Sequence, residues 1–277
     1  MGQRGGYAGA PGAGDTTALP SNGLWAQVDA ELEKPGLWTH EWQDFDVYLA
    51  SEASIPTTED PFLGGHVFVF SDTGGLFTKV DAEGGVRTLG SDGDNEGSSC
   101  RSGSYPFKII QNAGELVFEV RCKSSTIADT KHGILTGLIE DVALTAIIPI
   151  TAAGAIADKN LVGFHRLEGD GDKVDTVYKA DGVTAVTVQA DAVTLVADTY
   201  VKLGMTFNRG GDNVLRFYKD GLELTTTKAI PSAAGTDFPN DIRLGWFFAV
   251  LNATGTTPGD AQIDWIRVAQ RRVTSVN

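Results

Sequence analysis

VKLGMTFN, residues Val201–Asn208, and VLRFYKDGLELTTT, residues Val214–Thr227, decide how this chain is read. In the first run Val201, Leu203, Met205 and Phe207 fall on one side, with Lys202, Thr206 and Asn208 on the other. That period of two marks a strand with one face on a core. The second stretch holds two such runs, Val214–Lys219 and Leu222–Thr227, separated by Asp220 and Gly221. Both turn residues tolerate positive φ, as the favoured two-residue hairpin turn requires. A β-hairpin beside a third strand is predicted.

Downstream, Ile242–Leu251 is apolar on both faces after Arg243, so it reads as a strand covered on both sides, and Ile263–Ala269 reads as a closing strand. Trp246 and Trp265 in these runs are read as core side chains. Upstream, strands are predicted at Phe45–Leu49, His66–Phe70, Phe77–Val80, Gly85–Leu89, Phe107–Gln111, Gly114–Lys123, Val174–Lys179, Ala185–Gln189 and Val193–Val196. One short helix is predicted over Leu24–Lys34, where Leu24, Val28 and Leu32 recur at i, i+4 and i+8 before Pro35 and Gly36. About a dozen short strands and a single helix imply an all-β sandwich of two packed antiparallel sheets. No repeat of 20 to 50 residues suggests a propeller or solenoid.

Residues 1–23 read differently, being rich in Gly, Ala and Pro with no periodicity. Such a tract cannot bury enough apolar surface to offset the entropy of ordering, so an extended arm is predicted that is ordered by what it lies against. Arg4, Tyr7, Leu19 and Trp25 are its candidate partner-contact residues. Trp25, Trp38 and Trp42 cluster at the junction, suited to packing of the helix or to a subunit contact. The expected organisation is an arm with its helix over 1–36 and a sandwich over 37–277.

The 277 residues carry 36 acidic and 22 basic side chains, a net charge of −14. That field repels a phosphate backbone, so nucleic acid is not an expected partner. The first 30 residues lack a charged start followed by an apolar stretch, and no run of about 18 apolar residues follows, so neither a Sec signal nor a membrane span is expected. Cys100 and Cys122 are too few for a disulfide framework; Cys122 shares a face with Leu116, Phe118 and Val120 and reads as a small core residue.

From about Glu115 onward the sequence resembles the concanavalin A-like jelly roll, and within it a virion structural protein recurrent in tailed bacteriophages. The resemblance is carried by LVFEVR from Leu116, GLIED from Gly137, VGFH from Val162, DTYVKLGMTFN from Asp198, VLRFYKDGLEL from Val214 and IDWIRV from Ile263. WQDFDVY from Trp42 matches the opening strand of that pattern, while Ile55–Tyr105 matches less well. The resemblance implies a capsid decoration, or cement, protein on the outer head surface, assembled in the bacterial cytoplasm, with the major capsid protein as partner and a homotrimeric state. A glycan-binding module of a fibre or adhesin, with a host-surface glycan as ligand, is the alternative.

Catalytic and metal-binding patterns are weak. Glycanases of this fold use strand carboxylates in the order E-x-D-x-x-E, and Glu168, Asp170 and Lys173 break it at the third position, with glycines between; a solvated acidic turn is expected. Asp92, Asp94 and Glu96 start like a calcium loop, yet the twelfth position is Gly103. His40, His66, His132 and His165 lack zinc spacing, and no G-x-S-x-G turn occurs. The Gly97–Gly103 stretch reads as a loop. No enzyme activity and no cofactor are expected.

Overall fold

The computed structural model describes residues 20, 22–32, 34, 36–44, 60–63, 66–73, 75–79, 87–91, 96–128, 132–141, 150, 155–229, 237–252 and 259–272. Helix α1 (Asn22–Glu31) is followed by β1 (Trp38–Asp44), β2 (Asp60–Leu63), β3 (His66–Thr73), β4 (Gly75–Lys79), β5 (Arg87–Ser91) and β6 (Gly97–Ser102). Then come β7 (Leu116–Ser124), β8 (His132–Glu140), β9 (Leu161–Arg166), β10 (Lys173–Lys179), β11 (Val186–Thr194) and β12 (Val201–Phe207). The chain closes with β13 (Val214–Lys219), β14 (Leu222–Glu223), β15 (Lys228–Ala229), β16 (Leu244–Asn252) and β17 (Ala261–Arg271).

These strands form two antiparallel sheets, a concanavalin A-like jelly roll. The first sheet runs β14-β13-β12-β7-β17-β5-β4, with β1 also on β17 and β15 on β13; the second runs β11-β10-β9-β8-β16-β6-β3-β2. The stretch that decides the reading holds its pattern: β12 pairs with β7 on one side and β13 on the other, setting Met205 opposite both Phe118 and Phe217. Asp220 and Gly221 adopt φ of 50° and 79°, the left-handed pair the hairpin turn demands. Phe118, Val120, Leu203, Met205 and Phe217 of the first sheet pack against Leu138, Phe164, Trp246, Phe248 and Val250 of the second. Phe164 meets Phe217 edge to face at 5.4 Å.

Four expectations are corrected. The Gly97–Gly103 stretch is not a loop: β6 lies between β16 and β3 with all six residues buried, because small side chains fit a central strand whose pairing overrides their turn preference. Phe107–Gln111 is not a strand; it makes one bridge, Phe107 to Leu244, and then turns at Gln111 and Asn112. The two strands expected at Ala185–Gln189 and Val193–Val196 are one, β11, irregularly paired with β10 and bent where Asp191 takes a φ of 52°. The second hairpin strand ends at Glu223 rather than Thr227. Phe45–Leu49 lies outside the described residues, and the opening strand is Trp38–Asp44.

Candidate functional site

The outer face of each sheet is where a sandwich meets the world, and here each carries part of the chain. On the first sheet the alternation that sends Phe118 and Val120 inward sends Val117, Glu119 and Arg121 outward on β7. Beside them stand Ala269, Arg267 and Trp265 of β17 and Thr206 and Gly204 of β12. Helix α1 lies across this face. Leu24, Trp25 and Val28 are buried against Val117, Tyr218, Ala269 and Trp38, while Leu32, the last residue of the apolar stripe and one past the helix, is exposed. Gly204 makes room, since a Cβ there would sit 2.9 Å from the Leu24 side chain.

A polar lock holds the helix in place. The Trp25 indole Nε1 donates to the Glu119 carboxylate at 2.8 Å, with both residues wholly buried. The Arg267 guanidinium, in register beside Glu119, stacks 4.0 Å over the Trp25 ring and 4.7 Å over Trp42. It also pairs with Asp29 and donates to His40 Nε2 at 3.0 Å. A buried carboxylate and guanidinium are tolerable only when paired and hydrogen-bonded, which is what the helix supplies. The chain enters the helix at a fixed point, because Arg209 Nη2 donates to the Gly23 carbonyl at 3.1 Å.

Trp25, expected at a partner contact, is therefore corrected to an intramolecular anchor: an indole with no exposed surface cannot reach a partner. Arg4, Tyr7 and Leu19 lie outside the described residues.

The second sheet's outer face is apolar and covered. Leu135, Ile139, Leu161, Val177, Phe247, Ala249 and Leu251 form a cluster over which Ile150 and Ile156 fold. Gly137 and Gly163, opposite each other on β8 and β9, let the strands close up; a Cβ on Gly163 would meet the Thr136 carbonyl oxygen at 2.0 Å.

The acidic run is a turn between β9 and β10. The Asp170 carboxylate accepts the Leu167 N–H at 3.0 Å and Asp172 pairs with Lys173 at 3.3 Å, so these groups serve the turn. Strand-borne carboxylates are committed as well. Glu41 accepts from Ser102 and Ser104 at 2.8 and 2.6 Å, and Glu140 from Asn160. Asp175 accepts the Asp191 N–H, and Asp264 pairs with Arg121. Of the Asp92–Gly97 run only Glu96 and Gly97 are described, and no cluster of metal-ligating side chains occurs among the described residues.

Sequence reasoning missed one buried cluster. Ser124 Oγ and His132 Nε2 lie 2.9 Å apart, and the wholly buried Arg166 donates to the carbonyls of His132, Ala128 and Gly171. Burial, reinforced by the Arg166 charge, pushes the His132 pKa down to about 3, and burial pushes His165 down to about 4. Spacing could not signal this group, since its members sit on three strands.

No protein-family model and no curated protein sequence matches the chain. Solved structures do. A protein of unknown function from Shewanella oneidensis MR-1 is 15% identical, covers 87% of this chain and 90% of its own, and superposes with a TM-score of 0.53. The endo-1,3-beta-glucanase from Streptomyces sioyaensis is 12% identical over 86% of this chain and 98% of that one, at 0.55. Peanut lectin is 14% identical over 86% and 100%, also at 0.55. At such identities the likeness is one of fold, shared by a lectin and a glucanase.

Proposed function

We propose that this chain is a non-enzymatic structural protein of a tailed-bacteriophage virion, a decoration protein bound to the major capsid protein on the outer head surface. The virion part of this reading rests on the segments that resemble such proteins, from Leu116 to Val268, in their order and spacing. The observation that carries it is the lock on helix α1. A tryptophan, a carboxylate and a guanidinium are buried to hold ten residues against the sandwich, which fixes the start of the helix that follows residues 1–19 in sequence. That is the arrangement a tethering arm needs. The absence of an enzyme's role is supported by the commitment of Glu41, Glu119, Glu140 and Asp264 to structural bonds. Retaining hydrolysis needs a pair of carboxyl groups about 5 to 5.5 Å apart, one acting as nucleophile and the other as acid.

Copy number decides the reading. Quantitative mass spectrometry of purified particles should find the chain in a fixed, high ratio to the major capsid protein, in multiples consistent with trimers. A handful of copies would move it to the tail, and its absence from particles would overturn the proposal.

A second reading, a glycan-binding module, is favoured by the sandwich it shares with peanut lectin. Specific, saturable binding on an array of bacterial surface polysaccharides would establish it.

A further inference from the structure

Four arginines are buried among the described residues, and three of them are accounted for. Arg121 pairs with Asp264, Arg166 donates to three backbone carbonyls, and Arg267 pairs with Asp29. Arg101 is the fourth, 4% exposed, and its Nε and Nη1 have no hydrogen-bond partner among the described residues. A guanidinium taken out of water without an acceptor is costly, and its planar array of N–H donors matches a carboxylate.

Strand β6 places this side chain between β16 and β3. Its neighbour Cys100 belongs to the core between the sheets, so Arg101 points to the outer face of the second sheet, in register with Phe247. Gly245 lies two residues from Phe247 on that same face. A Cβ there would meet Tyr105 Cδ1 at 3.0 Å, so the Tyr105 ring lies over the gap that the glycine leaves. Asp141, just past the end of β8, is exposed. Both charges act on the Tyr105 hydroxyl: burial pushes its pKa up to about 12, the Arg101 charge works against that, and Asp141 beside it adds to it. The phenol therefore stays protonated and able to donate at neutral pH. This corner combines a cationic donor at depth, a phenol over a glycine and a carboxylate in solvent.

We propose that this corner binds an acidic saccharide, with the sugar carboxylate on the Arg101 guanidinium and sugar hydroxyls on Tyr105 and Asp141. The inference rests on the glycan-binding reading and names the class of sugar. Arg101 calls for an anion, and a carboxylate takes its N–H donors in charge-assisted bonds. Asp141 is acceptor-only when ionised, so it repels a second negative charge and takes hydroxyl donors. A singly charged unit rich in hydroxyls meets both demands. A phosphate brings too much charge, and an acidic peptide side chain brings no hydroxyl for Asp141.

The test applies the full chain to an array of uronate-bearing polysaccharides, their methyl esters and neutral polysaccharides. At least one uronate polymer should bind tenfold or more tighter than its own ester, a comparison that needs no variant. Arg101→Gln should abolish that preference, and Tyr105→Phe should weaken acid and ester alike. Because the substitution leaves no carboxylate behind, Arg101→Gln without sugar should melt no lower than wild type. A melting temperature many degrees lower would show that Arg101 serves the fold, and would overturn the site. Equal binding of acid and ester, or binding to neutral polymers alone, overturns the acidic class while the glycan reading stands. Silence across the whole array overturns both. An Asp-rich peptide that binds as tightly as the best uronate polymer would overturn the saccharide ligand.

Discussion

Single residues show how narrowly the lock is built. Trp25→Ala removes the indole from under Arg267 and leaves the Glu119 carboxylate without that donor, so a loss of about 3 to 5 kcal/mol is expected in urea unfolding. Trp25→Phe keeps most of the apolar area and should cost less, about 1 to 3 kcal/mol, from the hydrogen bond lost at the buried Glu119 carboxylate. Gly163→Ala should fail to give a native fold at all, because its methyl group would overlap a carbonyl oxygen of the neighbouring strand. His132 and His165 predict a pH dependence. Their folded pKa values, about 3 and about 4, lie below the ordinary 6.5, so the folded state favours the neutral rings. Stability is then fully present above pH 6.5 and declines as pH falls toward those values, by about 1.4 kcal/mol per pH unit for each ring. Urea midpoints measured from pH 8 to pH 5 should fall, and His165→Gln should make the fall shallower. A flat profile would contradict the burial of both rings.

Among the elements, what the sequence made legible was alternation. Val201–Phe207, the Asp220–Gly221 hairpin and the closing strand have one apolar face each, and periodicity reveals such strands directly. The strand β6 was not legible because Gly97, Ser98 and Ser99 carry no apolar signal; their burial comes from neighbours distant in sequence. The helix was legible as a helix, yet not as an anchor. Its partners, Glu119 and Arg267, look like ordinary outward charges until the fold sets them side by side. Removing residues 1–34 should therefore expose Val117, Tyr218 and Ala269 and lower the melting temperature by many degrees, whereas removing 1–19 should keep the helix and shift it little. Calorimetry of the two truncations distinguishes an anchor from a dispensable leader.

At the scale of the whole molecule, the jelly roll alone does not say what it is for, since a lectin and a glucanase share it. The distinctive features lie outside the common core: the locked helix on the first sheet and the covered outer face of the second. If the chain is the proposed decoration protein, removing residues 1–19 should reduce its attachment to head shells, as sedimentation can measure. The most direct measurement is cryo-electron microscopy of the native particle. The account predicts a sandwich-sized density on the outer head shell, in contact with the major capsid protein. Particles with no such density would contradict it.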